Sequence, residues 1–276
     1  MIDQFLNATN NMNIINLEYP INPKPRWGYD KPRNVLVDNI LEKNKESYKS
    51  ILTSFLKYAD SLLKIDLLQQ NDIEPAWNAG SIPGLDIISL YSFIVQNNPK
   101  TYLEIGSGNS TKFARRAIKD NDLRTKIISI DPEPRREINN LCDEVLRYGL
   151  EEVNLSIFDT LEEGDIVFFD GTHRCFQNSD VTVFFLEVLP RLKSGVLVEI
   201  HDIFLPFDYS PEWADKCYSE QYLLACYLLG KTKMFEVLLP NMFISNDIEL
   251  RNILNPIWQH IPTTERHGGS FWLRIN

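Results

Sequence analysis

The sequence predicts an α/β fold, a Rossmann-like doubly wound sheet flanked by helices, with a helical extension ahead of it. Three observations predict it. Beyond residue 101, short β-branched runs alternate with helical stretches, the mark of successive βαβ units. The runs end in acids, and a glycine-containing bend follows the first of them. The last two strands, Phe235–Pro240 and Ser270–Ile275, have only a short helix near 246–254 between them, which points to a reversed pair at the sheet edge.

The chain has 276 residues, enough for one large domain or a domain with an adjunct. Hydrophobic residues make up 43% and charged residues 24%, which excludes global disorder. A net charge of −10 argues against nucleic acid as a partner, because phosphates must be neutralised. The four cysteines, Cys142, Cys175, Cys217 and Cys226, form no C-x-x-C pair and read as free thiols in a reducing compartment. No basic and apolar leader opens the chain. The apolar stretches around 87–95 and 222–229 fall short of the ~20 residues that span a bilayer. These features place the protein in the cytoplasm with no membrane partner.

Residues 1–75 read as an N-terminal extension and residues 76–276 as the main domain. The first 23 residues are Asn-rich and weakly patterned, and 24–33 form a Pro- and Gly-containing loop. A helix follows with Asp38 as its N-cap, its apolar residues Tyr48, Ile51, Leu52, Phe55, Ala59 and Leu62 recurring at helical spacing. Residues 24–58 carry eight Lys or Arg and four Asp or Glu, so this stretch is +4 in an acidic chain. It reads as a solvated face, or as a lid or arm that meets an anionic ligand, or as a contact between copies in a homo-oligomer. In the main domain, strands are predicted at Thr101–Gly106, Lys126–Asp131, Val153–Asp159, Asp165–Asp170 and Val196–Asp202. Helices are predicted at 109–120, 135–148, 178–192 and 219–230.

An open α/β sheet binds ligands outside the carboxyl ends of its strands, so the strand ends carry the functional reading. After the first strand, Gly106 and Gly108 allow a tight turn and close approach of a ligand to the backbone. The next helix offers free N–H groups to an anion. Position 111 is Thr, so the third glycine of G-x-G-x-x-G is missing and a pyrophosphate site is disfavoured. Asp131 ends the second strand 23 residues after Gly108, where an acid can bind ribose hydroxyls. Phe158 and Asp159 end the third and can meet an adenine ring and its amino group. Asp170 and Asp202 end the fourth and fifth. They can share a hard divalent cation, or Asp170 can hold a ligand amino group. His173, three residues past Asp170, can take a proton from a hydroxyl near neutral pH. His201 is expected to face away from the site if Asp202 faces it, because neighbouring strand residues alternate. Tyr209, Tyr218, Glu220 and His267 with Gly268 and Gly269 are further pocket-wall candidates.

Four segments carry a resemblance: LEIGSGNSTKFA (103–114), IISIDPEPR (127–135), DIVFFDGTHR (165–174) and GVLVEIHDIF (195–204). In this order the chain resembles the class I S-adenosylmethionine-dependent methyltransferases over residues 80–276. The resemblance implies a seven-stranded sheet of order 3-2-1-4-5-7-6 with its last strand antiparallel. It implies that Glu104, Gly106, Ser107 and Gly108 meet the methionine part of S-adenosyl-L-methionine, Asp131 the ribose and Asp159 the adenine. The D-G-T-H and H-D pairs look like a branch that methylates hydroxyls of sugars and other small natural products. Carried over, Asp170 and Asp202 bind Mg2+ and His173 is the base. The chain departs from that branch at position 201, where His stands in place of an acid. The expected function is O-methylation of a small polar hydroxyl compound. Two rivals are a non-catalytic cofactor-binding protein of this fold and an NAD-dependent oxidoreductase.

Overall fold

A computed structural model describes residues 18–78 and 80–276. The Asn-rich start of the chain, residues 1–17, and the reading of its leader lie outside the described residues. Seven strands form one sheet in the order β3-β2-β1-β4-β5-β7-β6. They are β1 (Thr101–Ile105), β2 (Lys126–Ile130), β3 (Glu144–Leu146), β4 (Ile166–Phe169), β5 (Leu197–Ile200), β6 (Phe235–Pro240) and β7 (Phe271–Ile275). The five strands β1 to β5 are parallel, and β7 runs antiparallel to both β5 and β6. The sheet order and the reversed last strand are those the sequence led us to expect. Both faces of β4 and β5 are buried, which is why they read as continuous apolar runs rather than alternating ones. Glu199 is the exception within β5: it is fully buried, and burial lifts its carboxyl well above the usual range.

The longer helices are α1 (Val35–Glu42), α2 (Lys45–Phe55), α3 (Gly84–Asn97), α4 (Asn109–Asp120) and α5 (Glu220–Leu229). The N-cap of α1 is Asn34, not Asp38: its side chain accepts from the Leu36 and Val37 N–H groups. Asp38 sits in the first turn and pairs with Arg33. Val37, Leu41, Tyr48, Leu52 and Phe55 are fully buried and join the core of the sheet, so the extension packs as part of one body. Part of its basic charge is met within the fold. Lys45 lies 2.5 Å from Asp247, and Lys49 pairs with Glu249. Helix α3 was not foreseen, because residues 84–94 are buried all round and leave no amphipathic stripe.

Between β2 and β3 the sequence reading needs correction. The spacing of Ile138, Leu141 and Val145 imitates a helix over 135–148, but two prolines, Pro132 and Pro134, precede it. The chain there makes only a 3-10 turn at Asn139–Leu141 and then β3. The alternation of Val153, Leu155 and Ile157 imitates a strand. Those residues instead enter a 3-10 helix, Leu155–Thr160, capped by Asn154. The helix expected at 178–192 is helical but broken into an α turn, a π turn at Phe184–Val188 and a 3-10 turn ending at Arg191. Among the described residues no helix is long and apolar enough to cross a membrane.

Candidate active site

A cavity of about 1920 Å³ opens at the carboxyl ends of the strands. On one side it is lined by the bend after β1. Gly106 has φ +79°, and a Cβ there would lie 1.8 Å from the Asp170 carbonyl oxygen, so only glycine fits. Gly108 has no atom within 4 Å of a would-be Cβ; its missing side chain leaves open room rather than relieving strain. The Thr111 hydroxyl accepts from the Gly108 N–H at 3.0 Å and donates to the Glu104 carboxylate. This pin ties the first turn of α4 to the bend and to the buried end of β1. Glu104 is fully buried beneath the bend, also accepts from Tyr102 at 3.0 Å, and is not part of the cavity wall. Burial pushes its carboxyl up to about 7 against four hydroxyl contacts. In this structure it braces the turn.

Asp131 does line the cavity. One of its oxygens accepts from the Ser107 N–H and the other from the Glu133 N–H, both at 2.8 Å, so the end of β2 is tied to the β1 bend. Ser107 also bonds Ser129 across the strands at 2.8 Å. Because β3 is Glu144–Leu146, Phe158 and Asp159 do not end a strand. Phe158 is fully buried in the core, and Asp159 lies outside the cavity, 3.6 Å from Arg191. Gly149, Leu150 and Glu151 occupy the cavity wall instead.

The ends of β4 and β5 bring four ionisable groups together. His173 Nε2 is 3.2 Å from Asp170 and 3.7 Å from Asp202. His201 Nδ1 is 3.4 Å from Asp202 and 3.7 Å from Asp170. Each imidazole has a buried acid behind it. His173 Nδ1 meets Glu220 at 2.5 Å, and His201 Nε2 lies 3.4 Å from Asp86 on α3. His201 therefore faces the site, contrary to the strand-alternation argument. The strand has already ended at Ile200, and Asp202 takes a left-handed backbone, φ 56°. His173 is left-handed too, φ 63°. Two non-glycine residues held this way side by side mark a place where local strain is tolerated.

The charges bias one another. Burial pulls the His173 imidazole down, but the Glu220 and Asp170 carboxylates outweigh it and lift it to about 10. Glu220, fully buried, is pushed up to about 7 by burial, partly offset by His173. His201 is raised well above the ordinary histidine range, because Asp202 and Asp170 outweigh its burial. Asp170 is lowered: desolvation opposes this, and the two imidazoles overcome it. Asp202 is raised by burial and by its neighbour Asp170.

The wall beyond these groups is aromatic and comes from the loop after β5. Phe204, Trp213 and Tyr218 line the cavity, and Tyr209 packs behind them, 5.7 Å from Tyr218. The Tyr218 ring lies 4.3 Å from His173. Of the pocket-wall candidates, Tyr218, His267 and Gly269 line the cavity, while Tyr209 is buried behind the wall and Glu220 acts through His173. Asp86, Trp213, Lys216 and Arg174 were missed. Asp86 sits 115 residues from His201, so no local pattern joins them. Asp86 also accepts from the Gly269 and Ser270 N–H groups and from Asn241, which fixes β7 beside the site.

Residues 103–203 match the family model described as a methyltransferase domain. No curated protein matches the chain. Among solved structures it is similar to the SAH-bound methyltransferase PaMTH1 of Podospora anserina, at 16% identity over 70% of this chain and 78% of that one, TM-score 0.42. It is also similar to the O-methyltransferase from Bacillus cereus in complex with SAH, at 13% identity over 90% of this chain and 93% of that one, TM-score 0.43. The matched segment covers the bend after β1, the end of β2 and the clustered groups after β4 and β5. The likeness to a methyltransferase domain thus lies over the segment that supplies most of the strand ends lining the cavity.

Proposed function

We propose that this protein is an S-adenosylmethionine-dependent methyltransferase that acts on a hydroxyl of a small polar compound of the sugar or natural-product type, with His173 accepting the hydroxyl proton. The observation that carries the reading is the His173 imidazole. It lines the same cavity as Gly106 and Gly108, is fixed through Nδ1 by Glu220, and presents Nε2 beside Asp170 and Asp202.

S-adenosylmethionine supplies a methyl group already activated by its positive sulfur, so the protein has mainly to position and deprotonate. Gly106, Ser107 and Gly108 receive the amino-acid end of the donor along the open backbone, and Asp131 receives the ribose. Asp170 sits where the two halves of the cavity meet and can take an ammonium group. Asp202 orients the acceptor oxygen. His173 takes the proton at Nε2 as that oxygen bonds to the methyl carbon. In the resting site His173 holds a proton, because its pKa is lifted to about 10. Positive charge brought beside it favours the neutral, accepting form.

Magnesium fits this donor set poorly. Asp170, His173 and Asp202 place donor atoms within 4.8 Å of one another, as a metal site would. Yet two imidazoles already face the two carboxylates, and Mg2+ seeks six oxygens. We derive no step through it. Turnover is expected to be the same with and without added magnesium after chelation, and restoration by magnesium would reverse this view.

Calorimetric titration with S-adenosylmethionine tests the donor assignment: a folded protein that takes up none defeats it. His173→Ala is expected to lower turnover by about 10²- to 10⁴-fold and to leave donor affinity within about twofold. An unchanged rate removes His173 as the base.

A further inference from the structure

We propose that the acceptor is an anion: a hydroxyl-bearing ring that carries a carboxylate or phosphate group, seated against Trp213 and Tyr218, with its charge met by Lys216 and Arg174. This rests on the methyltransferase reading of the same cavity and names the substrate class it serves.

Two separate segments build the subsite. The loop after β5 supplies Trp213, Lys216 and Tyr218, and the segment after β4 supplies Arg174; all four line the cavity. The Lys216 ammonium lies 3.2 Å from the Trp213 ring centroid and 5.1 Å from that of Tyr218. The Arg174 guanidinium lies 5.2 Å from the Tyr218 centroid. Both cations thus rest on an edge-to-face aromatic pair, Trp213 and Tyr218 with ring centroids 5.6 Å apart, and that pair adjoins the proton acceptor, since Tyr218 is 4.3 Å from His173. A ring lodged beside this pair can present a hydroxyl to Nε2 and an anionic substituent to the two cations.

Among the described residues, neither cation has a carboxylate partner. Arg174 donates from Nε to the Lys216 carbonyl at 2.9 Å and from Nη1 to the Thr172 carbonyl at 3.1 Å. Those bonds tie the two segments together but supply no charge. Among the described residues, neither Lys216 nor Arg174 lies within 4.0 Å of a carboxylate oxygen. Of the acids that line this part of the cavity, Asp180 takes the Thr172 N–H and hydroxyl, Asp170 and Asp202 face the imidazoles, and Asp215, next to Lys216 in the chain, is exposed to solvent and more than 4.0 Å from both cations. Two half-buried cations over aromatic faces, next to the reacting position, are chemically suited to an anionic oxygen group.

The test is calorimetric, on the full chain saturated with S-adenosylhomocysteine, with benzoate, phenyl phosphate and the neutral benzamide as probes. Benzoate, phenyl phosphate or both are expected to bind about tenfold or more tightly than benzamide. Which anion binds better identifies the source of the charge. The preference should shrink as KCl is raised and should vanish in the Lys216→Gln, Arg174→Gln double variant with S-adenosylhomocysteine affinity unchanged. Should that variant lose S-adenosylhomocysteine binding, the salt dependence of the wild type and the single Lys216→Gln variant decide. Equal binding of benzamide, no binding of any probe, or a preference that survives loss of the cations overturns the proposal. Wild-type protein that fails to bind S-adenosylhomocysteine at all defeats the methyltransferase reading itself, a distinct result.

Discussion

At the ends of β1 and β2 the cavity wall is mostly main chain, whereas at the ends of β4 and β5 it is a cluster of ionisable side chains. The first region works by what it leaves out. Gly106 has no Cβ because the Asp170 carbonyl stands 1.8 Å from where one would be, and Gly108 leaves open space. The second region works by mutual bias. Two imidazoles and two carboxylates face one another, with Glu220 and Asp86 behind them. Omission tolerates no substitution where backbone is close, and the one acid that burial perturbs there, Glu104, lies beneath the bend and outside the cavity wall. Mutual bias tolerates substitution sterically and makes the chemistry depend on which groups hold protons.

The sharpest way to break this contrast is within the first region. Gly106→Ala meets both a positive φ and a backbone oxygen, so it is expected to cost about 3 kcal/mol or more, or to prevent folding. Gly108→Ala meets nothing and should leave the melting temperature unchanged, while its methyl group intrudes on the donor and weakens donor binding about tenfold. Thermal unfolding and titration with S-adenosylmethionine read the two effects separately. If the two variants behaved alike, the distinction between close backbone and reserved space would be lost.

A smaller effect is expected in the second region, and it is a shift rather than a loss. The Glu220 carboxylate favours the protonated form of His173, so wild-type kcat/KM should rise with pH into the alkaline range. Glu220→Gln removes that support, lowers the imidazole pKa, and makes the accepting form available at lower pH. The rising limb should move down by about one pH unit or more. A role confined to packing would instead lower the rate by one factor at every pH. This profile therefore separates positioning from mere support.

The same contrast explains what could be read in advance. The bend at 106–108, Asp131 and the end of β4 are local: a few adjacent residues specify strand, turn and helix start together, and the family resemblance they carry implied the sheet order. His173 was found because it follows Asp170 on one loop. Asp86 was not, because it acquires its meaning from His201, far along the chain, and α3 hid it inside a uniformly buried helix. His201 was misjudged because strand alternation was carried past Ile200, where β5 had stopped.

The least effect is expected at Asp159, and its smallness is informative. The alternating apolar residues before it suggested a third strand ending beside the adenine. The actual β3 ends at Leu146, so the wall at that end of the cavity passes to Gly149, Leu150 and Glu151. Asp159 is half exposed and 3.6 Å from Arg191, outside the cavity. Asp159→Asn should therefore leave donor affinity within about twofold, since it changes only an exposed ion pair. Leu150→Ala, at a buried residue in the cavity wall, should weaken donor binding more than Asp159→Asn does. Parallel titrations of the two variants decide the matter: a large loss from Asp159→Asn with little from Leu150→Ala would return the adenine to the end of the 3-10 helix and move the boundary between the two regions.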